Sequence, residues 1–385
     1  MLPAILWNPS PEIIKIGFLT IRWYNCLFLA PFLIGTPILY KMFARAGRSN
    51  QEADSLRTYV MFGVIAGARL GHVIFYQWDD YKDRLLEIFL PVVFYPEFKV
   101  VGFQGLASHG AAFGVLTAIF LYVKRFKFSM TPFRISCVNR TPGTGFWSIV
   151  DYVVILTALG GASIRIGNFM NGEIIGKPTG GNYGIVFARE VYTYLSSQYE
   201  DSIEQLTMGK ASGIHTNHKV SHQPIQLTIA FKQHITDEQV IKEFLENSFK
   251  KSLVYLSHLQ QPMLYEPVKT PLHYTLSKGA GYQATVYTTG VLRHPAQLYE
   301  AFSCILIFVG LFWWWHKKGQ LLASGRISGA FLLILFLLRF FYEFYKENQE
   351  AFEDTMQFNM GQLLSLPFVV LGLYLVLRPA PKPVK

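Results

Sequence analysis

Seven stretches of this chain, residues 22–43, 58–76, 106–123, 146–170, 295–315, 327–344 and 360–377, are apolar over about the length that a helix needs to cross ~30 Å of hydrocarbon. Backbone amides cannot be left unpaired in lipid, so such stretches fold as helices. Only 16% of the residues are charged, against about a quarter in soluble domains. The expected fold class is an all-α polytopic membrane protein with seven transmembrane helices.

Charge orients it. Lys41, Arg45, Arg48 and Arg57 follow the first stretch, and Lys124, Arg125, Lys127, Arg134 and Arg140 follow the third. Lys317, Lys318 and Arg326 follow the fifth, and Arg378, Lys382 and Lys385 form the tail. The alternate loops are acidic: Asp79, Asp80 and Asp83 in one, Glu347, Glu350, Glu353 and Asp354 in another. Cations stay in the cytoplasm, which puts the amino terminus outside and the carboxyl terminus inside. The net charge of +10 is mostly this cytoplasmic excess; it suits an anionic leaflet and calls for no nucleic acid. The first residues, without a basic start and broken by prolines, are not expected to form a cleavable signal peptide, and the first span is the expected insertion signal. Cys26, Cys137 and Cys304 have no metal or redox spacing, and no cofactor is expected.

Residues 177–292 contain no spanning run, so the chain divides into membrane parts at 1–176 and 293–385 around one insertion. In 223–231, Ile225, Leu227, Ile229 and Phe231 alternate with polar residues, which predicts a strand. Thr236, Asp237, Glu238 and Gln239 form a capping box ahead of a helix with Ile241, Phe244, Leu245, Phe249 and Leu253 on its apolar side. Residues 282–288 suggest a second strand, and 196–217, without periodicity, a mobile loop. The insertion is thus an α+β head outside the cytoplasm.

The chemistry lies in ionisable groups at the edges of the spans. SIRIGNFMNGEIIG, at 163–176, puts Arg165, Asn168 and Glu173 at the end of an apolar run. An arginine there costs at least a few kcal/mol and implies a partner, here an anion. Arg165 and Asn168, three apart, share a helix face. His109, among small residues in GLASHGAAFG, is either a general base or headgroup donor, or a buried histidine tying two helices together. Arg69, beside His72, either pairs with Asp151 or faces a ligand. Arg339 and Glu343, four apart, form a salt bridge along a helix or present Arg339 to a phosphate. Arg293 precedes His294, Gln297, Tyr299 and Glu300 at the outer boundary. Several arginines gathered there imply a phosphate-bearing ligand and an enzyme that grips a lipid headgroup. A transporter would need an inverted repeat or paired broken helices, and neither is evident. An intramembrane protease would need a serine nucleophile, for which Ser328 and Ser108 are the candidates.

RWYN at 22–25, GARLGHVIFY, ASHGAAFG, RIGNFMNGEIIG, RHPAQLYEAF, LLRFFYEF and MGQLLSLP follow one another in an order that resembles the bacterial phosphatidylglycerol–prolipoprotein diacylglyceryl transferases. The resemblance covers nearly all the membrane part; the head is longer than usual and its centre is unmatched. It implies transfer of diacylglyceryl from phosphatidylglycerol to the lipobox cysteine of a preprolipoprotein. It makes His109 the essential histidine, Arg165 and Asn168 the headgroup ligands and Glu173 their acidic neighbour. Arg339 and Glu343 become the later essential pair, with Tyr24, Gly110 and Arg293 also on the lipid. The chain departs from the family pattern at Ala111 (for the second glycine after the histidine), at Arg22 and Asn25, and at Leu335, where a tyrosine is usual. No step requires a metal.

Overall fold

The computed structural model describes residues 4–379 except 18, 91, 94–98, 101–104, 106, 131–132, 141–144, 212–220, 280 and 349–350. Its long apolar helices are α1 (Trp23–Arg45), α2 (Asn50–Tyr76), α3 (Ser108–Val123) and α4 (Phe146–Asn171). The head contributes α5 (Arg189–Gln198), α6 (Glu238–Glu243) and α7 (Lys250–Ser257). After it come α8 (Ala296–Lys318), α9 (Arg326–Tyr342) and α10 (Met360–Leu377). Six of the described helices are long and apolar enough to cross a membrane, and α3, with 16 residues, is a shorter apolar one. They leave large apolar side chains uncovered, such as Leu33, Phe62, Phe113 and Val370, the surface that lipid covers in a multi-pass membrane protein.

The chain divides into two compact units, one of Met1–Phe28, Ala162–Ser303 and Leu338–Ser365, the other of Leu29–Gly161, Cys304–Leu337 and Leu366–Lys385.

The first unit holds the head. Strands β1 (Ile5–Trp7) and β2 (Ile185–Phe187) pair in parallel. Strands β3 (Ile203–Lys210), β4 (His222–Phe231), β5 (Leu264–Tyr265), β6 (His273–Lys278) and β7 (Tyr282–Val291) form an antiparallel sheet in the order β5-β7-β4-β3, with β6 also on β7. The alternation predicted for β4 is present: Ile225, Leu227, Ile229 and Phe231 are buried, and Leu227 and Ile229 register with Val286 and Ala284 of β7. Ile241, Leu245, Phe249 and Leu253 pack on that face. The helix that carries them starts one residue later than the capping box implies. Asp237, not Thr236, is the cap and accepts from the Gln239 amide at 2.8 Å. The helix also widens into a π turn over Phe244–Phe249 before α7. Part of the expected mobile loop is regular: within 196–211 lie the end of α5 and β3, while 212–217 fall outside the described residues. Strand β3 lacks clean alternation, because only Ile203 and Leu206 of it are buried.

In the second unit α2 and α3 approach backbone to backbone. Gly63, Gly67 and Gly71 on α2 face Gly110, Gly114 and Ala118 on α3, and a Cβ at Gly67 or Gly110 would strike the carbonyl oxygen of the other. Small residues at four-residue spacing allow this approach between apolar helices. Ser49 caps α2 in a reciprocal box with Glu52. Lys124–Met130 and Phe133–Asn139, expected as a basic loop, pair as a hairpin. Asp151 does not pair with Arg69. Its carboxylate accepts from the Gly325 and Ser328 amides at 2.6 and 2.8 Å and from the Ser328 hydroxyl at 2.6 Å, so it caps the start of α9 from outside. Arg69 donates to the Ile88 carbonyl at 2.9 Å and lies over the Tyr81 ring.

Candidate functional site

The signature helix α4 ends in a Schellman cap. Gly172 adopts φ +72°, its amide bonds the Phe169 carbonyl at 3.2 Å, and the Glu173 amide bonds the Asn168 carbonyl at 2.9 Å. The cap reverses the chain, so Glu173 returns over Asn168, whose amide donates to Glu173 Oε2 at 3.1 Å. Asn171 holds the other carboxylate oxygen at 3.1 Å. Ile174 follows at φ +56°, a conformation that a β-branched residue keeps only when its surroundings impose it. Gln297 of α8 donates to the Glu173 carbonyl at 2.5 Å and supplies part of that constraint.

One turn back, Arg165 pairs through Nε with Glu300 of α8 at 2.5 Å, and its Nη1 faces Asn168 Oδ1 at 3.4 Å. The second Glu300 oxygen is ion-paired to Lys346, which also reaches Glu343 at 3.1 Å. Asn359 donates to Glu343 Oε2 at 3.2 Å. Arg339 lies 3.8 Å from Glu343, beyond hydrogen-bond length. The helical pairing expected from their spacing is therefore loose, because α9 tightens into a 3-10 turn at Glu343–Tyr345. The result is a chain of alternating charge, Glu173, Arg165, Glu300, Lys346, Glu343, Arg339, joined at one point by Asn168. Lys346 and Glu300 are buried, and the Arg339 side chain is 36% exposed. Its Nε is buried without a hydrogen-bond partner. Arg339 is thus the loosest-held cation of the chain.

The other expected site residues divide between the units. The Tyr24 ring fills the space over Gly167, where any side chain would strike it. Arg293 is 1% exposed, and its guanidinium donates to the Pro262 carbonyl at 2.8 Å, the Gly176 carbonyl at 3.1 Å and Glu347 at 2.5 Å. It ties the signature loop to the head, with no donor turned toward a headgroup. His109 is exposed near the start of α3 in the second unit, and Gly110 beside it is buried in the contact with α2. Ser328, the protease candidate, is 1% exposed, and its hydroxyl is taken by Asp151.

Lys346 had no place in the sequence reading, since a lysine just past a span looks like an interfacial anchor. Glu300 carried a signal, an acid inside an apolar helix, but its partner Arg165 is far away in sequence. His294, in a box with Tyr183, Tyr299 and Tyr345, has its imidazole pushed below the usual 6.5 by burial. Among the described residues no three His, Cys, Asp or Glu gather to hold a metal ion.

The first unit thus joins three cations and three carboxylates from separate helices in one chain of alternating charge. The model of the prolipoprotein diacylglyceryl transferase family matches residues 11–378, and the chain belongs to that family. A phosphatidylglycerol–prolipoprotein diacylglyceryl transferase of Bacteroides fragilis is 27% identical over 376 residues, covering 97% of this chain and 95% of the relative. One from Tolumonas auensis is 28% identical over 378 residues, 98% of each chain. One from Porphyromonas gingivalis is 27% identical over 390 residues, 100% of this chain and 98% of the relative. The chain is a transferase of lipoprotein biosynthesis.

Proposed function

We propose that this transferase moves the diacylglyceryl group of phosphatidylglycerol to the thiol of a prolipoprotein's lipobox cysteine, the first step of lipoprotein maturation. The observation that carries the reading is the alternating charge chain that starts from the signature helix in a chain matched by the family over residues 11–378. Thiolate is the nucleophile. Its sulfur attacks the glyceryl carbon that bears the phosphate. The S–C bond forms as the C–O bond breaks, the electron pair leaves on the phosphate oxygen, and glycerol phosphate departs. Arg165 and Arg339 neutralise that developing charge, while Glu300 and Glu343 set their orientation. Asn168 and Glu173 take the glycerol hydroxyls, and Tyr24 closes the headgroup side. His109 meets the lipid, accepting the thiol proton or bonding the headgroup, and Gly110 serves it by seating the start of α3 against α2. Arg293 acts by fixing the signature loop.

The topology we propose has seven spans in the bacterial inner membrane, the amino terminus and the head of 177–292 outside the cytoplasm, and the carboxyl terminus inside. Helix α3 is about 24 Å long, short of ~30 Å of hydrocarbon. Its close glycine contact with α2 supports a place inside the bundle.

Purified protein, phosphatidylglycerol and a lipobox peptide test the reading by mass spectrometry. A diacylglyceryl mass on the cysteine, lost when serine replaces it, is the expected result. An unmodified peptide with folded protein and intact lipid would refute it.

A further inference from the structure

Lys346 lies at the centre of the charge chain. Its side chain is 6% exposed, and its ammonium is ion-paired to Glu300 and lies 3.1 Å from Glu343. Glu300 in turn holds Arg165 at 2.5 Å, and Glu343 is the carboxylate nearest Arg339. The two arginines thus hang from opposite ends of a carboxylate–ammonium–carboxylate bridge. Without the ammonium, two buried carboxylates would face each other. They would then move apart or draw the guanidinium groups onto themselves, because unpaired charge in a buried setting is costly. Either outcome takes the arginines away from an incoming phosphate.

We infer that Lys346 is a positioning residue for the transfer: its ammonium bridges Glu300 and Glu343 and holds them in place, which fixes the spacing of Arg165 and Arg339 for one phosphate. The inference rests on the transfer reaction proposed above. Three other observations support a dedicated role. Lys346 is anchored through its backbone, in a bridge with Gly176 of the signature loop. The 3-10 turn at Glu343–Tyr345 brings it round beside Glu343. Asn359 occupies the remaining Glu343 oxygen, so that carboxylate is fixed on both sides.

The test compares Lys346→Met, Lys346→Arg and the double variant Lys346→Met/Glu300→Gln with wild type. Each is assayed for transfer from phosphatidylglycerol to the lipobox peptide, with thermal melting in detergent measured alongside. Lys346→Met is expected to lose on the order of a hundredfold in kcat, the size of effect seen when one preorganised charge partner is removed, with KM for the peptide unchanged. Lys346→Arg keeps the charge and should recover to within about threefold of wild type. Removing the second carboxylate charge in the double variant should restore about tenfold over the single one. If Lys346→Met does not fold, Lys346→Gln, which keeps a donor and loses only the charge, carries the same expectation. Wild-type kcat in folded Lys346→Met or Lys346→Gln would overturn the inference, as would equal losses in Lys346→Met and Lys346→Arg with normal melting. Absence of transfer by the wild type would instead refute the reaction on which it rests.

Discussion

Arg165 shows how a single side chain is held from two sides. Its Nε is held by Glu300 at 2.5 Å and its Nη1 faces Asn168, while the helix beneath it is closed by Gly172. Arg165→Ala removes a charge and not a core contact, so transfer is expected to fall below detection while the protein inserts and melts normally; a lipidation assay on membranes checks both. Arg165, Asn168 and Glu173 were legible in the sequence because helical spacing and an NG terminus are local signals. Glu300, Lys346 and Asn359 were not, because their partners come from other helices and no periodicity records such pairing. The same limit explains Asp151: the sequence marks a buried acid, but its use as the cap of α9 depends on tertiary approach. His294 gives a pH signature. Burial favours its neutral form, so folding carries no penalty above 6.5 and loses stability as pH falls from there through the lowered value. Wild type should melt earlier at about pH 5 than at about pH 7 by a margin that His294→Gln reduces; equal pH dependence in both would contradict this.

At the scale of elements, the α2–α3 contact depends on glycine. Gly114 faces Gly63 and Gly67 with no room for a side chain. Gly114→Val should therefore cost about 1–3 kcal/mol of overpacking, seen as a lower melting temperature in detergent. A variant as stable as wild type would mean that the helices separate more freely than their spacing implies. The sequence displayed half of this contact, the small residues around His109. The matching row on α2 was hidden in a segment whose arginine and histidine drew the reading toward charge. In the head, β4 was legible from alternation, since one face is buried, whereas β3 buries only two residues and has no such pattern. The cap at Asp237 moved one position because aspartate and threonine both cap well and only the fold selects between them.

For the whole molecule, apolar length made the multi-pass membrane class legible, since bilayer thickness leaves a chain few options. The proposed orientation is tested by cysteine labelling in a background without Cys26, Cys137 and Cys304. Asp201→Cys, at an exposed turn of the head, should react with a membrane-impermeant maleimide in intact spheroplasts, and a cysteine replacing Lys382 should react only after lysis; the reverse pattern would invert the topology. The charge chain has a consequence for selectivity at this scale. Its cations are matched by carboxylates of the chain itself, so the site resembles a filled ion exchanger more than an empty basic hole. A guest must displace resident anions, which small, strongly hydrated ions such as chloride do poorly. In the transfer proposed above, a phosphodiester would span Arg165 and Arg339 and bring hydroxyls for Asn168 and Glu173, replacing several resident contacts at once.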